Sequence, residues 1–161
     1  MADINLSHRS NAVALVELLF FAYRDFVADP DLRLEGLGFG RAHHRVIHFV
    51  GRNPGLTVAG LLDILQITKQ SLARVLKELI DKGYVFQREG AEDRRQRLLY
   101  LTPSGETLRK ELMAPQVKRF ERAFAETGLP PEQFQSMLVH LINPENQDMA
   151  QRTAEGPKAD A

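Results

Sequence analysis

Residues 11–27 constrain the fold most, because as a helix this segment would be apolar on most of its circumference. Its large apolar side chains are Val13, Leu15, Val16, Leu18, Leu19, Phe20, Phe21, Tyr23 and Phe26. One core-facing stripe of a surface helix cannot accommodate so many. The helix must therefore lie at the centre of its domain or be buried by a partner chain.

The composition fits one globular domain that folds alone or completes its core by dimerising. The chain has 161 residues, of which 43% are apolar and 26% charged. It contains no cysteine, which excludes disulfides, thiolate metal sites and thiol nucleophiles. Its longest apolar run, residues 12–23, is interrupted by Glu17 and is shorter than a membrane span. Without a signal-peptide pattern either, we expect no membrane partner and a cytoplasmic location.

The charges balance only when summed over the whole chain, at 21 basic against 21 acidic residues. Residues 1–40 carry three basic and six acidic side chains, and residues 102–161 carry seven and nine. The central residues 41–101 carry eleven basic and six acidic side chains, a local net charge of +5. This central excess keeps nucleic acid among the possible partners despite the zero total.

Two short helices joined by a tight link are predicted within this basic segment. Thr57 caps a helix that ends near residue 65, and Gln66-Ile67 lead to a second cap at Thr68. The second helix, residues 69–82, stops at Gly83. Its apolar positions follow helical spacing and face a core: Leu72, Leu76, Leu79 and Ile80. Its polar stripe comprises Gln70, Arg74 and Lys77. The pattern fits a helix-turn-helix, whose second helix enters the major groove of DNA, or an ordinary corner between helices.

A β-hairpin with a basic tip is predicted next, from runs at 84–88 and 96–101 around a polar turn at 89–95. The arginines near the tip are Arg88, Arg94, Arg95 and Arg97. A guanidinium on a thin loop suits a narrow minor groove, and Asp93 is placed to orient one. Alternatively, the hairpin is a self-neutralised surface feature, because its three acids offset three of these charges.

The rest of the chain reads as flanking helices and a tail. A short amphipathic helix is predicted at 41–50, and a long one follows Thr102-Pro103 to about residue 127. Pro130-Pro131 open a last helix, and the polar residues after 142 predict a mobile tail. The predicted organisation is an N-terminal dimerisation helix and loop (1–40), a DNA-binding unit (41–101), C-terminal dimerisation helices (102–142) and the tail (143–161).

Four motifs in order resemble the MarR (multiple antibiotic resistance regulator) family. They are residues 67–74 (ITKQSLAR), 79–85 (LIDKGYV), 93–95 (DRR) and 101–105 (LTPSG). The resemblance implies a mainly α, α+β fold: a winged helix-turn-helix with a small β-hairpin wing. It also implies a homodimer joined through the first and last two helices, acting as a repressor on a pseudo-palindromic operator. A small organic effector would modulate binding from a pocket between the two parts, and no cofactor is implied.

The same resemblance assigns DNA-binding residues. They are Thr68, Lys69, Gln70, Ser71, Arg74, Lys77, Asp93, Arg94 and Arg95. Gln70, Ser71 and Arg74 would approach base edges, while Lys69 and Lys77 would approach phosphates. Arg95 would enter the minor groove with Asp93 as its orienter, and Arg94 would make a second contact. Against this, Arg74 and Glu78 stand at i and i+4, so they could simply pair on the surface.

Two histidines, His44 and His48, stand one helical turn apart, a spacing that can hold a transition metal. We assign them instead to the effector pocket, as contacts for an organic anion, and predict no metal site. No phosphate-binding glycine motif or nucleophile elbow occurs, so the chain is not expected to be an enzyme. Two alternatives stay open: a winged-helix protein-interaction module without DNA binding, and a zinc-sensing regulator using His44 and His48.

Overall fold

A computed structural model describes residues 6–156, with only the backbone of residues 6–10. In chain order the elements are α1 (Leu6–Ala28), α2 (Asp31–Glu35), α3 (Arg41–Arg52), β1 (Leu56–Thr57), α4 (Val58–Leu65), α5 (Lys69–Asp81), β2 (Val85–Glu89), β3 (Arg97–Leu101), α6 (Pro103–Thr127), α7 (Pro131–Leu141) and α8 (Pro144–Glu155). The mainly α class with a small sheet is confirmed. Across the described helices, none is both long and apolar enough to cross a bilayer. The ends of the predicted segments 1–40 and 143–161, residues 1–5 and 157–161, lie outside the described residues.

Threonine N-caps set the start of three helices. The Oγ1 of Thr57 accepts a hydrogen bond from the Gly60 N–H at 3.0 Å, and Thr68 does the same for Ser71 at 3.1 Å. Thr102 accepts from the Gly105 N–H at 3.0 Å and starts α6. Each cap pairs a backbone N–H that lacks a partner within its helix. The predicted starts of α4, α5 and α6 are thereby confirmed.

The core lies between α3, α4, α5, α6 and the sheet. The core-facing side of α5 is as predicted, because Leu72, Leu76 and Leu79 are buried and Ile80 is partly buried. The other buried apolar residues of this core include Val46, Ile47, Val50, Leu61, Val75, Leu99, Leu108 and Leu112. This packing fixes the rotation of α5, so that its polar stripe points away from the protein.

The sheet is antiparallel, with strand order β1-β3-β2. β2 and β3 form the predicted hairpin, with Val85 opposite Leu101 and Glu89 opposite Arg97. The sequence did not predict β1, which pairs Leu56 with Leu99. Two residues are too few to show the alternating pattern of a strand in the sequence. β1 forms because its backbone pairs with β3 in the folded protein.

Among the α1 side chains that the structure describes, from residue 11 onward, those at the C-terminal end pack against the rest of the chain. The Nε2 of Gln116 donates to the Phe26 carbonyl at 3.1 Å, and the Arg119 guanidinium binds the Asp29 carboxylate through contacts of 2.6 and 2.7 Å. The upstream apolar residues, from Val13 to Tyr23, are 53–72% exposed. The sequence allowed two positions for this helix, and the prediction that it lies at the centre of its own domain is wrong. Burial by a partner remains.

The expected mobile tail differs from the structure, in which residues 144–155 form α8. Asn143-Pro144 give this helix proline at its first position, which suits a helix start. The Arg52 guanidinium donates to the Ala154 carbonyl at 2.9 Å, and Met149, Ala150 and Thr153 are half-buried on one face. A short amphipathic face and one long-range contact hold this segment in a helix, although its polar composition predicts a mobile tail.

Candidate nucleic-acid interface

The outward side of α5 carries the residues assigned to DNA. Lys69, Gln70, Arg74 and Lys77 are exposed on α5, and Thr68 is exposed at its N-cap. Ser71 is half-buried, and its Oγ accepts a hydrogen bond from the Thr68 hydroxyl at 2.9 Å. Ser71 is therefore the least accessible member of the set, while the others form a polar stripe open to a ligand.

Two ion pairs lie along this stripe at i, i+4 spacing. The Arg74 guanidinium contacts the Glu78 carboxylate at 3.1 Å, the surface pairing that the sequence left open. Lys77 contacts Asp81 at 2.5 Å, and this hydrogen bond raises the pKa of Lys77. Exposed helical pairs of this kind contribute little to stability, because solvent and salt screen them. A phosphate can therefore compete with Asp81 for Lys77, and Arg74 has donors that Glu78 does not use.

Glu78 has a second partner that the sequence did not predict. The Nε2 of His43, on α3, lies 2.7 Å from the Glu78 Oε2. The other ring nitrogen of His43, Nδ1, accepts the Gly40 N–H at 3.0 Å, so Nε2 carries the proton and donates to Glu78. The hydrogen bond from His43 lowers the pKa of Glu78, and Arg74 adds to this effect. A separation of 35 residues hides this contact from any local pattern.

The wing, comprising β2, β3 and the turn at 90–96, presents its basic residues at an exposed tip. The Asp93 Oδ1 accepts the backbone N–H of Arg95 at 2.9 Å. The Asp93 carboxylate thus shapes the backbone of the tip, and its contact with a guanidinium stays a prediction. Arg94 and Arg95 are exposed, and neither has an ion-pair partner among the described side chains, whereas Arg97 lies 3.7 Å from Glu89.

A close approach within the wing requires glycine at position 90. A Cβ on Gly90 would lie 2.6 Å from the Asp93 carbonyl oxygen, which is too close for any side chain. The Gly90 N–H donates to the Gln96 carbonyl at 3.0 Å and closes the turn. The conformation of the tip is therefore set by backbone contacts, which leaves its two arginines available.

Arg88 also lies on the wing, and the assigned set omits it. Its guanidinium lies over the rings of Phe86 and Tyr100, at 5.3 and 5.7 Å from their centroids. The two rings stack with centroids 5.4 Å apart. The alternation of β2 and the pairing of Phe86 with Tyr100 place all three on one sheet face. The period-2 spacing of Phe86 and Arg88 was the available sequence signal.

α5 and β2 share one surface. A groove of about 640 Å³ lies between α4, α5 and β2, and its walls include Leu62, Lys69, Ala73, Lys77 and Gln87. The structure thus brings Lys69 and Lys77 to the same concave surface as the base of the wing. Arg94 and Arg95 extend from the far end of that wing.

His44 and His48 line a different cavity, of about 360 Å³, between α1, α3 and α6. Tyr23, Arg45 and Gln116 contribute to its walls. Burial lowers the pKa of His44 and, aided by the charges of neighbouring groups, lowers that of His48 to about 4. Both imidazoles are therefore neutral at neutral pH and can serve as hydrogen-bond donors or acceptors.

No group of three or more metal-ligating side chains occurs among the residues that the structure describes. The two histidines line one cavity but belong to no such group among the described residues. Because zinc sites in proteins usually use three or four protein ligands, the zinc-sensing alternative gains no support from this geometry.

Comparison with known proteins gives consistent matches. The model of the MarR family matches residues 37–96. The HTH-type transcriptional regulator PetP of Rhodobacter capsulatus is 51% identical over 132 residues, covering 80% of this chain and 78% of that protein. These matches are to a transcriptional regulator rather than an enzyme.

Solved structures share the fold at low sequence identity. A MarR family regulator from Silicibacter pomeroyi has a TM-score of 0.65 at 23% identity, covering 88% of this chain and 90% of that one. The MepR–DNA complex of S. aureus has a TM-score of 0.56 at 20% identity, covering 78% and 93%. These similarities support the winged-helix fold.

Proposed function

The chain belongs to the MarR family of transcriptional regulators, and from this premise we propose that it represses transcription by binding a pseudo-palindromic operator as a homodimer. The observation that carries the proposal is the polar, exposed stripe of α5 beside a wing whose tip arginines lack ion-pair partners among the described side chains. An α-helix fits the major groove, and an arginine on a thin loop fits the minor groove. Residues 41–101 then form the DNA-binding unit.

Each assigned residue has a role in this proposal. Gln70, Ser71 and Arg74 approach base edges, and Arg74 is suited to a guanine because its fork can make two parallel hydrogen bonds. Lys69 and Lys77 contact phosphates, which requires Lys77 to leave Asp81. Arg95 enters the minor groove and Arg94 makes a second wing contact. Thr68 and Asp93 hold the backbone that presents these side chains.

A second copy of the chain is the proposed cover for the exposed apolar side of α1. This helix adjoins an apolar groove of about 540 Å³ between α1, α6 and α7, lined by residues that include Phe26, Phe120, Phe124, Phe134 and Leu138. A contiguous apolar surface of this kind is typical of a subunit interface. Residues 1–40 and 102–142 would form the dimerisation part, joined across a two-fold axis. Two copies of α5 would then meet two operator half-sites.

The cavity beside His44 and His48 is the proposed effector site. It lies between α1, which would belong to the dimer interface, and α3, which packs against α5. Arg45 and the two neutral imidazoles suit a small organic anion with an aromatic or apolar body. Such a ligand releases DNA only if it binds better to a dimer whose two recognition helices are wrongly spaced for the operator.

Fluorescence anisotropy tests the DNA-binding proposal with a labelled duplex from the region upstream of the protein's own gene. We expect affinity to fall by one or more orders of magnitude between about 50 and 200 mM salt, because bound lysines and arginines displace condensed cations. A protein-interaction module that has lost DNA binding would show flat salt dependence or no retention of the duplex. Either result would refute the proposal.

A further inference from the structure

We propose that Glu78, anchored by His43, is a positioning residue that holds the Arg74 guanidinium for reading one base pair. This inference rests on the proposed DNA-binding function and deepens it. Glu78 uses one carboxylate oxygen for each partner: Oε2 lies 2.7 Å from His43 Nε2, and Oε1 lies 3.1 Å from the Arg74 guanidinium. The carboxylate thus joins a buried residue of α3 to an exposed residue of α5.

The anchor is rigid because His43 has both ring nitrogens engaged. Its side chain is 7% exposed, its ring stacks on Phe39 at a centroid distance of 4.6 Å, and Nδ1 accepts the Gly40 N–H at the start of α3. A side chain at the third position of a helix commonly reaches back to the N-cap amide in this way. The imidazole therefore offers Glu78 a donor in a fixed position.

The neighbouring Lys77–Asp81 pair lacks such an anchor. Asp81 is 58% exposed, against 37% for Glu78, and has no second ion-pair partner among the described side chains. The two pairs share the same helix, the same i, i+4 spacing and the same order of charges. Lys77–Asp81 is therefore a matched control for the anchored pair.

Helix stability gives no good reason for the Arg74–Glu78 pair. An acid placed C-terminal to its basic partner is the weaker orientation, and Glu78 lies near the C-terminal end of α5, where the helix dipole disfavours negative charge. A carboxylate on the DNA-facing helix also repels phosphates. What the pair provides is a fixed guanidinium: one terminal nitrogen of Arg74 contacts Glu78, and its remaining donors can reach a base edge.

The test starts by locating the base pair that Arg74 reads. The wild-type protein and Arg74→Ala are each used to select sequences from a pool of randomised duplexes. The half-site position at which only the wild type shows a preference is the Arg74 position. If Arg74→Ala changes the base preference at no single half-site position, Arg74 does not read a base pair and the inference is wrong. If the wild-type protein selects no sequence at all, the proposed function fails as well.

Affinities are then measured for the selected duplex, for the duplex changed at that base pair, and for mixed-sequence DNA. We expect Glu78→Gln to lower discrimination at the Arg74 position by about tenfold, since a bidentate arginine contact supplies most of it. Asp81→Asn should keep the wild-type discrimination. Both variants lose one negative charge, so neither should bind mixed-sequence DNA more weakly. A merely structural defect would weaken binding to all three duplexes.

A second variant keeps the test independent of Glu78 itself. His43→Phe preserves the stacking on Phe39 and removes both hydrogen bonds, so it should lower discrimination at the same position. Thermal unfolding reports whether each variant remains folded. The inference is wrong if a folded Glu78→Gln or His43→Phe protein discriminates at the Arg74 position as well as wild type. It is also wrong if Asp81→Asn loses as much as Glu78→Gln.

Discussion

At the scale of single residues, the three histidines of α3 differ in role because they face different sides of one helix. His43 faces the core, where Glu78 and the Gly40 amide engage both of its nitrogens. His44 and His48, one turn apart, face the cavity beside α1 and α6. The sequence indicated the pairing of His44 with His48 from their spacing. The partner of His43 could be found only from the packing of α3 on α5.

The buried histidine His48 predicts a pH dependence of stability. Burial, together with the charges of His44, Arg109 and Arg52, lowers its pKa to about 4 from an ordinary value of 6.5. Below pH 6.5 the unfolded chain therefore binds a proton that the folded protein does not bind. This contribution to stability is fully present above pH 6.5 and is lost as the pH falls toward 4.

Urea unfolding at pH 7 and pH 5 measures this effect. The free energy of unfolding should fall more between these pH values in the wild-type protein than in His48→Gln, which has no group to titrate at this position. Equal slopes for wild type and His48→Gln would contradict the assignment.

At the scale of secondary-structure elements, the cap of α5 predicts a measurable loss of stability. Thr68→Ala removes the side-chain oxygen that accepts the Ser71 N–H, and we expect a cost of about 1 kcal/mol in the free energy of unfolding. Thr68→Ser keeps the hydroxyl and should stay close to wild type. Chemical denaturation distinguishes the two. Equal losses in both variants would show that the methyl group, rather than the cap, matters here.

The elements that the sequence predicted are those with local signals. α4, α5 and α6 begin at a threonine cap, and α5 shows an apolar face at helical spacing. The sequence missed β1, α2 and α8, which are short or polar and depend on distant partners. β1 exists because Leu56 meets Leu99, and α8 contacts Arg52 through the Ala154 carbonyl.

The candidate site also combines features that have local sequence signals with contacts that depend on distant residues. The periodicity of α5 predicted that Gln70, Arg74 and Lys77 share an exposed stripe, and turn residues predicted a basic wing tip. Local patterns could not show that Asp93 bonds to a backbone amide rather than to a guanidinium. They also could not show that Glu78 has a partner 35 residues away, because tertiary packing alone brings α3 and α5 together.

At the scale of the whole molecule, the exposed apolar helix α1 predicts self-association. Phe20 is 72% exposed on α1, so a charge there should be tolerated in a monomer and costly in a dimer interface. Phe20→Glu is expected to shift the protein from a dimer toward the monomer mass of 18.2 kDa in light scattering. The control, Gln87→Glu, adds a charge at an exposed position of β2 in the DNA-binding unit and should leave the dimer intact.

Light scattering can also give results that contradict the proposed dimer interface. A wild-type protein that is monomeric at micromolar concentration would rule out a stable dimer. A Phe20→Glu protein that remains a dimer would place the interface elsewhere. Loss of the dimer in Gln87→Glu as well would indicate a general defect rather than a local one.

Charge is distributed unevenly along the chain. Residues 41–101 hold a net charge of +5, and the segments on either side are acidic. In a dimer, this arrangement would place the basic units on DNA and keep the interface helices away from it. Because the excess is modest, binding to mixed-sequence DNA should be weak, and specificity should depend on a few arginines.

The most direct test of this account is operator binding by the double variant Arg74→Ala, Arg95→Ala. Anisotropy with the upstream duplex should show a loss of at least tenfold relative to wild type, because one reading contact and one minor-groove contact are removed per subunit. Arg152→Ala is the control: it removes an exposed arginine of α8, outside the parts assigned to DNA binding and dimerisation, and should bind like wild type. Unchanged affinity in the Arg74, Arg95 variant would contradict the assignment of α5 and the wing as the DNA-reading surface.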